Sequence, residues 1–569
     1  MERKSQMIKS SKMSGAKFIA NTFKGYGVTH VFYVEGILRR SLVEMEALGI
    51  QRILTHSEKT AAYMADGYAK ASGRPGVCMA QSVGAANLAS GLQDPFLGFS
   101  PVIAISGRRP PIAQYRHGYQ EILHYVMFDP VTKFNARVET IEQLPYLLRQ
   151  AFREATSGAP RPVHLEFCGY EGEMIDRAEA DLGLLVEERF CRIPSIRPEP
   201  EADCVKEAAQ ILANAERPVI VAGGGAKTSS AGPEIIKLAE LLSIPVATSL
   251  NGKDIIPEYH PLNVGVVGSY SRWCANQVVW ESDMVLYVGS ATGDQVTNSW
   301  TFPKQGTRVI QIDINPSELG RSYPNIVGLM GDAKVTVSKL AKCVKPKKGN
   351  STWAQRAGQL VRRWRNEVEP LRNSDASPIM PERLCKEITD VLPEDGILVS
   401  DTGNAAIWTG TMAYIMHPGQ SYIRCAGSLG WALPASLGAK CGAPERPVLC
   451  FIGDGGFWYH LGELETAARW GIKTVTVVNN NCCLAQCIRG INLAYGDIEG
   501  NKDHMYKFRM VNFAKLAEQI GCLGLRVEHP SEIRAALKTA LAADVPAVVD
   551  VVTDPEHSTA WPPSRTFNK

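Results

Sequence analysis

Short apolar runs recur along the chain, each followed by a turn and then by residues spaced for a helix. From about Ala16 to Gly172 the runs "VTHVFYV", "RILTH", "PGVCMAQS", "SPVIAISG" and "RPVHLEF" alternate with helical patterns such as "EKTAAYMADGYAKASG". Runs that are apolar on both faces suit a parallel sheet covered by helices on both sides. The Pro-rich joint "IPSIRPEPE" separates this block from a second, which carries "RPVIVAGGG", "IPVATSL", "DMVLYVGS" and "TRVIQIDIN". A basic joint, "KPKKGNSTW", and a Trp- and Arg-rich helix to about Arg372 lead into a third. That block holds "GILVSDTGN", "RPVLCFIGDGG", "KTVTVVNNN" and "PAVVDVV". The pattern predicts an α/β chain of three doubly wound parallel-sheet domains, over residues 14–185, 200–345 and 376–556. The polar ends, "MERKSQMIKSSKMSG" and "PEHSTAWPPSRTFNK", are expected to be a frayed tail and a loosely held one.

Composition narrows the function. A formal net charge of +3, with its charges scattered, gives no basic stripe for nucleic acid. No apolar run approaches a membrane span, and the N-terminus lacks the apolar stretch of a leader. The 14 cysteines follow no disulfide-framework spacing, which suits reduced thiols and a cytoplasmic location.

The chemistry concentrates in "GDGGFWYHLGELETAARWGIKTVTVVNNN", Gly453 to Asn481. Ligands of parallel sheets bind at the carboxyl ends of strands. Asp454 ends one strand and Asn480 and Asn481 end the next, with a crossover helix between them. A carboxylate and a carboxamide oxygen are hard ligands that suit Mg²⁺, which completes its shell with water and phosphate. Gly453, Gly455 and Gly456 allow close approach of a phosphate to main-chain amides. Each half alone reads as an ordinary Gly- or Asn-rich turn. Together, in a strand–helix–strand frame, they predict a magnesium-bound diphosphate.

This spacing of "GDG" and "NN" resembles the signature of thiamine-diphosphate-dependent enzymes, and the chain around it resembles their acetolactate synthase-like branch. The resemblance runs from about Ser14 to Asp554. It implies a pyrimidine-binding, a central and a diphosphate-binding domain in that order. It implies that Asp454, Asn481 and the carbonyl of Cys483 hold Mg²⁺, with Asn480 as the alternative if the count slips by one. Gly403 and Asn404, in "DTGNAAIW", would contact the diphosphate. "AGSLGWALPASLGAK" resembles the segment in which Leu429 would bend the cofactor and the Gly427 carbonyl would accept from its aminopyrimidine. "THSEKTAAYMADGYAKASG" resembles the segment carrying the catalytic glutamate, here Glu58, which would hydrogen-bond the aminopyrimidine and favour loss of the thiazolium C2 proton.

On the substrate side, "SVGAANLASGLQDPFLGFSPVIAISG" points to Asn87, and "GYQEI" and "VTKFN" point to Gln120 and Lys133. His117 flanks the same loop as a candidate proton carrier. "VEGILRR" replaces a Pro-Gly-Gly turn of the relatives and puts Glu35 near the cofactor side. "GGGAKTS" lacks the glycine spacing of a Walker motif. FAD or ADP in the central domain is left open, because "GSATGDQ" lacks the arginine of related sequences. The reading is an enzyme that decarboxylates a 2-oxo acid and passes the acyl anion to an acceptor. Lyases of a 2-hydroxyacyl-CoA or a 1,2-dione, and a catalytically degenerate homologue, are the alternatives. The resemblance also implies a homodimer or homotetramer with active sites between chains.

Overall fold

Three six-stranded parallel sheets organise the chain. The computed structural model describes residues 6–7, 11–347 and 351–555. The first sheet holds β1 (His30–Tyr33), β2 (Gln51–Leu54), β3 (Gly76–Ala80), β4 (Val102–Arg108), β5 (Phe134–Val138) and β6 (Val163–Cys168), in the order β2-β1-β3-β4-β6-β5. The central sheet holds β7 (Pro218–Ala222), β8 (Val246–Thr248), β9 (Asn263–Val266), β10 (Met284–Val288), β11 (Arg308–Asp313) and β12 (Val327–Met330), ordered β9-β8-β7-β10-β11-β12. The third holds β13 (Ile397–Ser400), β14 (Ser421–Arg424), β15 (Val448–Gly453), β16 (Val475–Asn480), β17 (Leu523–Val527) and β18 (Ala547–Val552). Its order, β14-β13-β15-β16-β18-β17, repeats that of the first. In each sheet the chain reverses direction across one pair of strands, and a crevice opens there beyond their carboxyl ends. In the third sheet that pair is β13 and β15.

Burial explains which strands form the middle. Every residue of β3, β4, β7 and β10 is buried, as expected for strands covered on both faces. The strands that the apolar runs did not announce are β5, β9, β12, β14 and β17, and all five are edges of their sheets. β12 alternates buried and exposed residues instead of forming an apolar run.

The helices that bear on the site are α1 (Glu58–Ser72), α2 (Ala85–Leu97), α3 (Leu144–Thr156), α4 (Thr352–Arg372), α5 (Asn404–Thr411), α6 (Ala432–Gly442) and α7 (Asp454–His460). The first and third domains join where α1 crosses α6. A Cβ on Gly67 would stand 1.9 Å from the Ala435 carbonyl oxygen, and one on Gly438 would stand 1.9 Å from that of Met64. The two glycines therefore let the helix backbones touch, and a side chain at either position would force them apart. On α4, Trp353, Leu360 and Trp364 sit in one apolar cluster with Val219 and Val285 of the central sheet and Leu398 and Leu449 of the third. The connecting helix thus shares its apolar face between two domains. Burying each such side chain contributes about 1.5–3 kcal/mol.

The N-terminal segment departs from the expected frayed tail. Ser11–Ser14 pairs antiparallel with Glu179–Leu182, and Gln6–Met7 pairs with Leu185–Val186. These ladders satisfy main-chain groups that a tail would leave to water. Residues 556–569, including most of the C-terminal tail, lie outside the described residues.

Candidate active site at the switch of the third sheet

Gly453 pairs with Asn479 across β15 and β16. Asp454 and Asn481 therefore leave neighbouring strands at the carboxyl edge, although they are 27 residues apart in sequence. Asp454 opens α7 and is 2% exposed. Burial pushes its carboxyl up to about 7, against the opposing pull of main-chain N–H groups at Asn481, Asp454 and Gly455. Either a proton or a nearby cation would offset that desolvation. The Asn481 side-chain oxygen accepts from the Cys483 N–H at 3.3 Å. The neighbouring amide faces another way. Asn480 Nδ2 donates to Asp550 Oδ1 at 2.9 Å and to the Val511 carbonyl at 3.1 Å. Among the described residues, no group of three His, Cys, Asp or Glu could hold a metal. The donor set here is one carboxylate, one carboxamide and a main-chain carbonyl, which fits an ion that keeps water and phosphate ligands.

The surrounding turns are glycine-rich for two different reasons. No atom stands within 4 Å of where a Cβ would lie on Gly427 or Gly453, so both border open space. A Cβ on Gly455 would stand 2.5 Å from Leu484 Cδ2, and one on Gly456 would stand 2.5 Å from Asp401 Oδ2. These two are glycines because the turn is tightly packed. Gly403 precedes α5 at φ +70°, the left-handed region, and Asn404 begins that helix. Leu429 is only half-buried, on the loop before α6.

Two buried carboxylates that the sequence reading passed over hold this loop. Asp401, at the end of β13, accepts the Gly430 N–H at 2.9 Å and the Thr402 N–H at 2.8 Å. Asp94, on α2 of the first domain, accepts the N–H groups of Ala426, Gly427 and Ser428. Asp401, like Asp454, is a carboxylate at the end of a buried strand, so the same local pattern marks it. Asp94 carries no such local signal, because its partners lie more than three hundred residues away.

The first sheet gathers a second set of groups. Glu58 opens α1, and its Oε2 accepts from Asn87 Nδ2 of α2 at 3.1 Å. A Cβ on Gly84 would stand 2.4 Å from Glu58 Oε1, so the carboxylate rests on the turn before α2. Ser82, in the same turn, donates to the Gln120 carbonyl at 3.1 Å, and the Tyr170 hydroxyl donates to the Gln120 side-chain oxygen. Gln120 and His117 both have positive φ, at +59° and +52°, in a loop that also exposes Tyr115 and Tyr119. Glu58, Asn87 and Gln120 therefore meet around one turn. Glu35 stands after β1, but its carboxylate is paired with Arg39 at 2.5 Å, and Arg39 also reaches Glu171 at 2.6 Å.

Lys133 corrects the expectation that placed it near substrate. It precedes β5 and so lies at the amino edge of a parallel sheet, opposite the turn that holds Glu58. Its ammonium donates to the carbonyls of Glu154, Ser157 and Ala159 at 3.0, 2.6 and 3.3 Å, at the C-terminal end of α3. Lys227 of "GGGAKTS" is likewise committed, to Asp254 and the Tyr422 carbonyl. Beside it, a cavity of 540 Å³ runs along the carboxyl ends of the central strands, past Gly225, Ser249, Gly289 and Asp313. No helix among the described residues is long and apolar enough to cross a membrane.

Polar groups gathered at the carboxyl edge of each outer sheet, joined by a central α/β unit, give a three-domain α/β architecture with candidate ligand sites at the sheet edges. Comparison with known proteins specifies the class. Residues 13–127, 205–340 and 401–551 match the N-terminal, central and C-terminal domains of the thiamine pyrophosphate enzymes. A probable acetolactate synthase large subunit of Methanocaldococcus jannaschii is 32% identical over 96% of this chain and 93% of its own length. The corresponding protein of Methanococcus aeolicus is 31% identical over 97% and 94%. A putative thiamine pyrophosphate-containing protein, YdaP of Bacillus subtilis, is 28% identical over 93% and 89%. The chain belongs to the thiamine pyrophosphate enzyme family. It is an acetolactate synthase-like enzyme that depends on thiamine diphosphate.

Proposed function

We propose that the protein decarboxylates a 2-oxo acid and joins the acyl unit to a carbonyl acceptor, with thiamine diphosphate held through Mg²⁺ at the end of β15. The observation that carries this reading is the pairing of Gly453 with Asn479, which sets Asp454 beside Asn481 at the carboxyl edge of the third sheet, next to its switch. When bound, the cofactor supplies a carbon nucleophile and then an electron sink. Asp454, Asn481 and the Cys483 carbonyl hold the metal. The Asn480 amide is already spent on Asp550 and Val511, which favours Asn481. Gly403, Asn404 and the Gly453–Gly456 turn receive the diphosphate. The Gly427 carbonyl would accept from the cofactor's pyrimidine amine, and Leu429 would pack against its rings. Glu58 holds a proton at the pyrimidine ring, with Asn87 fixing its carboxylate. Gln120 and His117 border the substrate, with Glu35 at the rim.

The site is completed by a second copy of the chain, in a homodimer or a dimer of dimers. Within one chain, α1 approaches the Leu429 loop through Tyr63, beside Ser428, and through Asp66, whose carboxylate accepts from Trp431 Nε1 at 3.0 Å. Glu58 lies five and eight residues earlier, about 7 and 12 Å along the helix axis. The loop carrying Gln120 also exposes Ile112, Tyr115, Tyr119 and Leu123, an apolar surface that association would cover. The central cavity is the place for an adenine nucleotide, FAD or ADP. A visible flavin spectrum of the purified protein separates the two.

Calorimetric titration of apo protein with thiamine diphosphate, with and without Mg²⁺, tests the cofactor reading. A screen of 2-oxo acids, scored for carbon dioxide release and for ligated product, tests the reaction. Folded protein that binds the cofactor equally well without a divalent ion refutes the metal site. Carbon dioxide release without ligation reduces the activity to simple decarboxylation.

A further inference from the structure

Asp94 sits near the end of α2, 1% exposed, and reaches across to the third domain. Its Oδ1 accepts the Ala426 N–H at 2.8 Å, and its Oδ2 accepts those of Gly427 and Ser428 at 3.1 and 3.0 Å. Three successive main-chain N–H groups converging on one carboxylate form an anion nest, occupied here by a side chain of the same protein. Lys70, on α1, lies 3.9 Å from Asp94 and 2.7 Å from Asp66, so one ammonium faces both buried carboxylates. On the far side of Leu429, Asp401 takes the Gly430 N–H. Leu429 is thus the one residue of the loop between two pinned amides.

We propose that Asp94 is a positioning residue for the cofactor, fixing the main chain of Ala426–Ser428 so that the Gly427 carbonyl and Leu429 meet the pyrimidine and thiazolium rings. This role rests on the cofactor placement given above. The chemistry requires a carboxylate. An asparagine has one acceptor oxygen and cannot serve all three N–H groups. Charge-assisted bonds to main-chain N–H groups are also the stronger kind. The carboxylate comes from the first domain while the loop belongs to the third, so the docking of the two domains sets the geometry of the loop. The diphosphate end of the site, at Gly453–Gly456, receives nothing from Asp94. The role therefore separates the ring end of the cofactor from its phosphate end.

The test uses the full chain with Asp94→Asn. Asp94→Glu keeps the charge facing Lys70 and serves if the Asn variant does not fold. Amide hydrogen exchange of the unliganded protein reads the clamp directly. The Ala426, Gly427 and Ser428 amides should exchange about tenfold faster or more in the variant, while Gly430 is unchanged. Titration with Mg²⁺ plus thiamine diphosphate, and separately with Mg²⁺ plus inorganic pyrophosphate, reads the consequence. The first affinity should fall about tenfold and the second should hold. Unchanged exchange at 426–428, or equal weakening of both probes, overturns the role. Wild-type protein that binds pyrophosphate but not thiamine diphosphate overturns the cofactor reading, and this role with it. A wild type that binds both, with a variant that binds both equally well, overturns the role alone.

Discussion

Asn87 Nδ2 donates to Glu58 Oε2 at 3.1 Å, so the carboxylate at the start of α1 is held by a side chain of the next helix. A carboxylate that works on a proton must be oriented as well as present. Glu58→Gln should leave the fold and cofactor affinity in place but lower turnover on the order of a hundredfold or more. Asn87→Ala, which frees the carboxylate without removing it, should cost less, about tenfold. Steady-state rates of the two variants at saturating cofactor check this order, and an Asn87→Ala variant as slow as Glu58→Gln would give Asn87 a role of its own.

The two asparagines at the end of β16 should respond differently to truncation. Asn481→Ala removes the side-chain oxygen proposed to hold the metal and should weaken cofactor binding chiefly through the Mg²⁺ requirement, while thermal stability changes little. Asn480→Ala leaves buried Asp550 Oδ1 short of a donor and should cost about 1–3 kcal/mol of stability. Thermal unfolding and Mg²⁺-dependent titration of both variants separate the roles. The reverse pattern would move the metal ligand to Asn480.

The legible part of the fold was its middle. Strands such as β10, buried along their whole length, write themselves as apolar runs. An edge strand has a half-open environment, and its residues mix accordingly. β5, "FNARV", carries Asn and Arg on a solvated face, and Asn135 spends its amide on Asp129 and the Tyr125 carbonyl. Its first residues close "VTKFN", where resemblance to a family segment, not periodicity, points to substrate. The same limit governed the site. Asp454 and Asn481 lie next to the strands that position them, so local pattern reached them. Asp94 is defined by partners on another domain, and periodicity carries no trace of that contact.

Lys133 supplies a control for the site assignment. Its ammonium caps the end of α3 through three carbonyls, where a cation also complements the helix dipole. Lys133→Met should lower stability by about 1 kcal/mol and leave kcat and KM for the 2-oxo acid unchanged. Chemical denaturation paired with steady-state kinetics measures both. A large rise in KM without loss of stability would return Lys133 to the substrate side.

Asp401 should leave a signature in the pH dependence of stability. Burial raises its carboxyl from 3.8 to about 7 in the folded protein, against the pull of the Thr402 and Gly430 N–H groups. Between those values the folded chain binds a proton that the unfolded chain has lost. The stability contributed by the protonated carboxyl is therefore present below about pH 4 and disappears as the pH rises to about 7. Asp401→Asn cannot titrate. The Tm of the variant minus that of the wild type should rise with pH across this window and level off above about 7. Thermal unfolding of the apo proteins over the accessible part of the range measures the difference. A difference independent of pH would mean that Asp401 stays ionised in the folded chain, with its two N–H partners outweighing its burial.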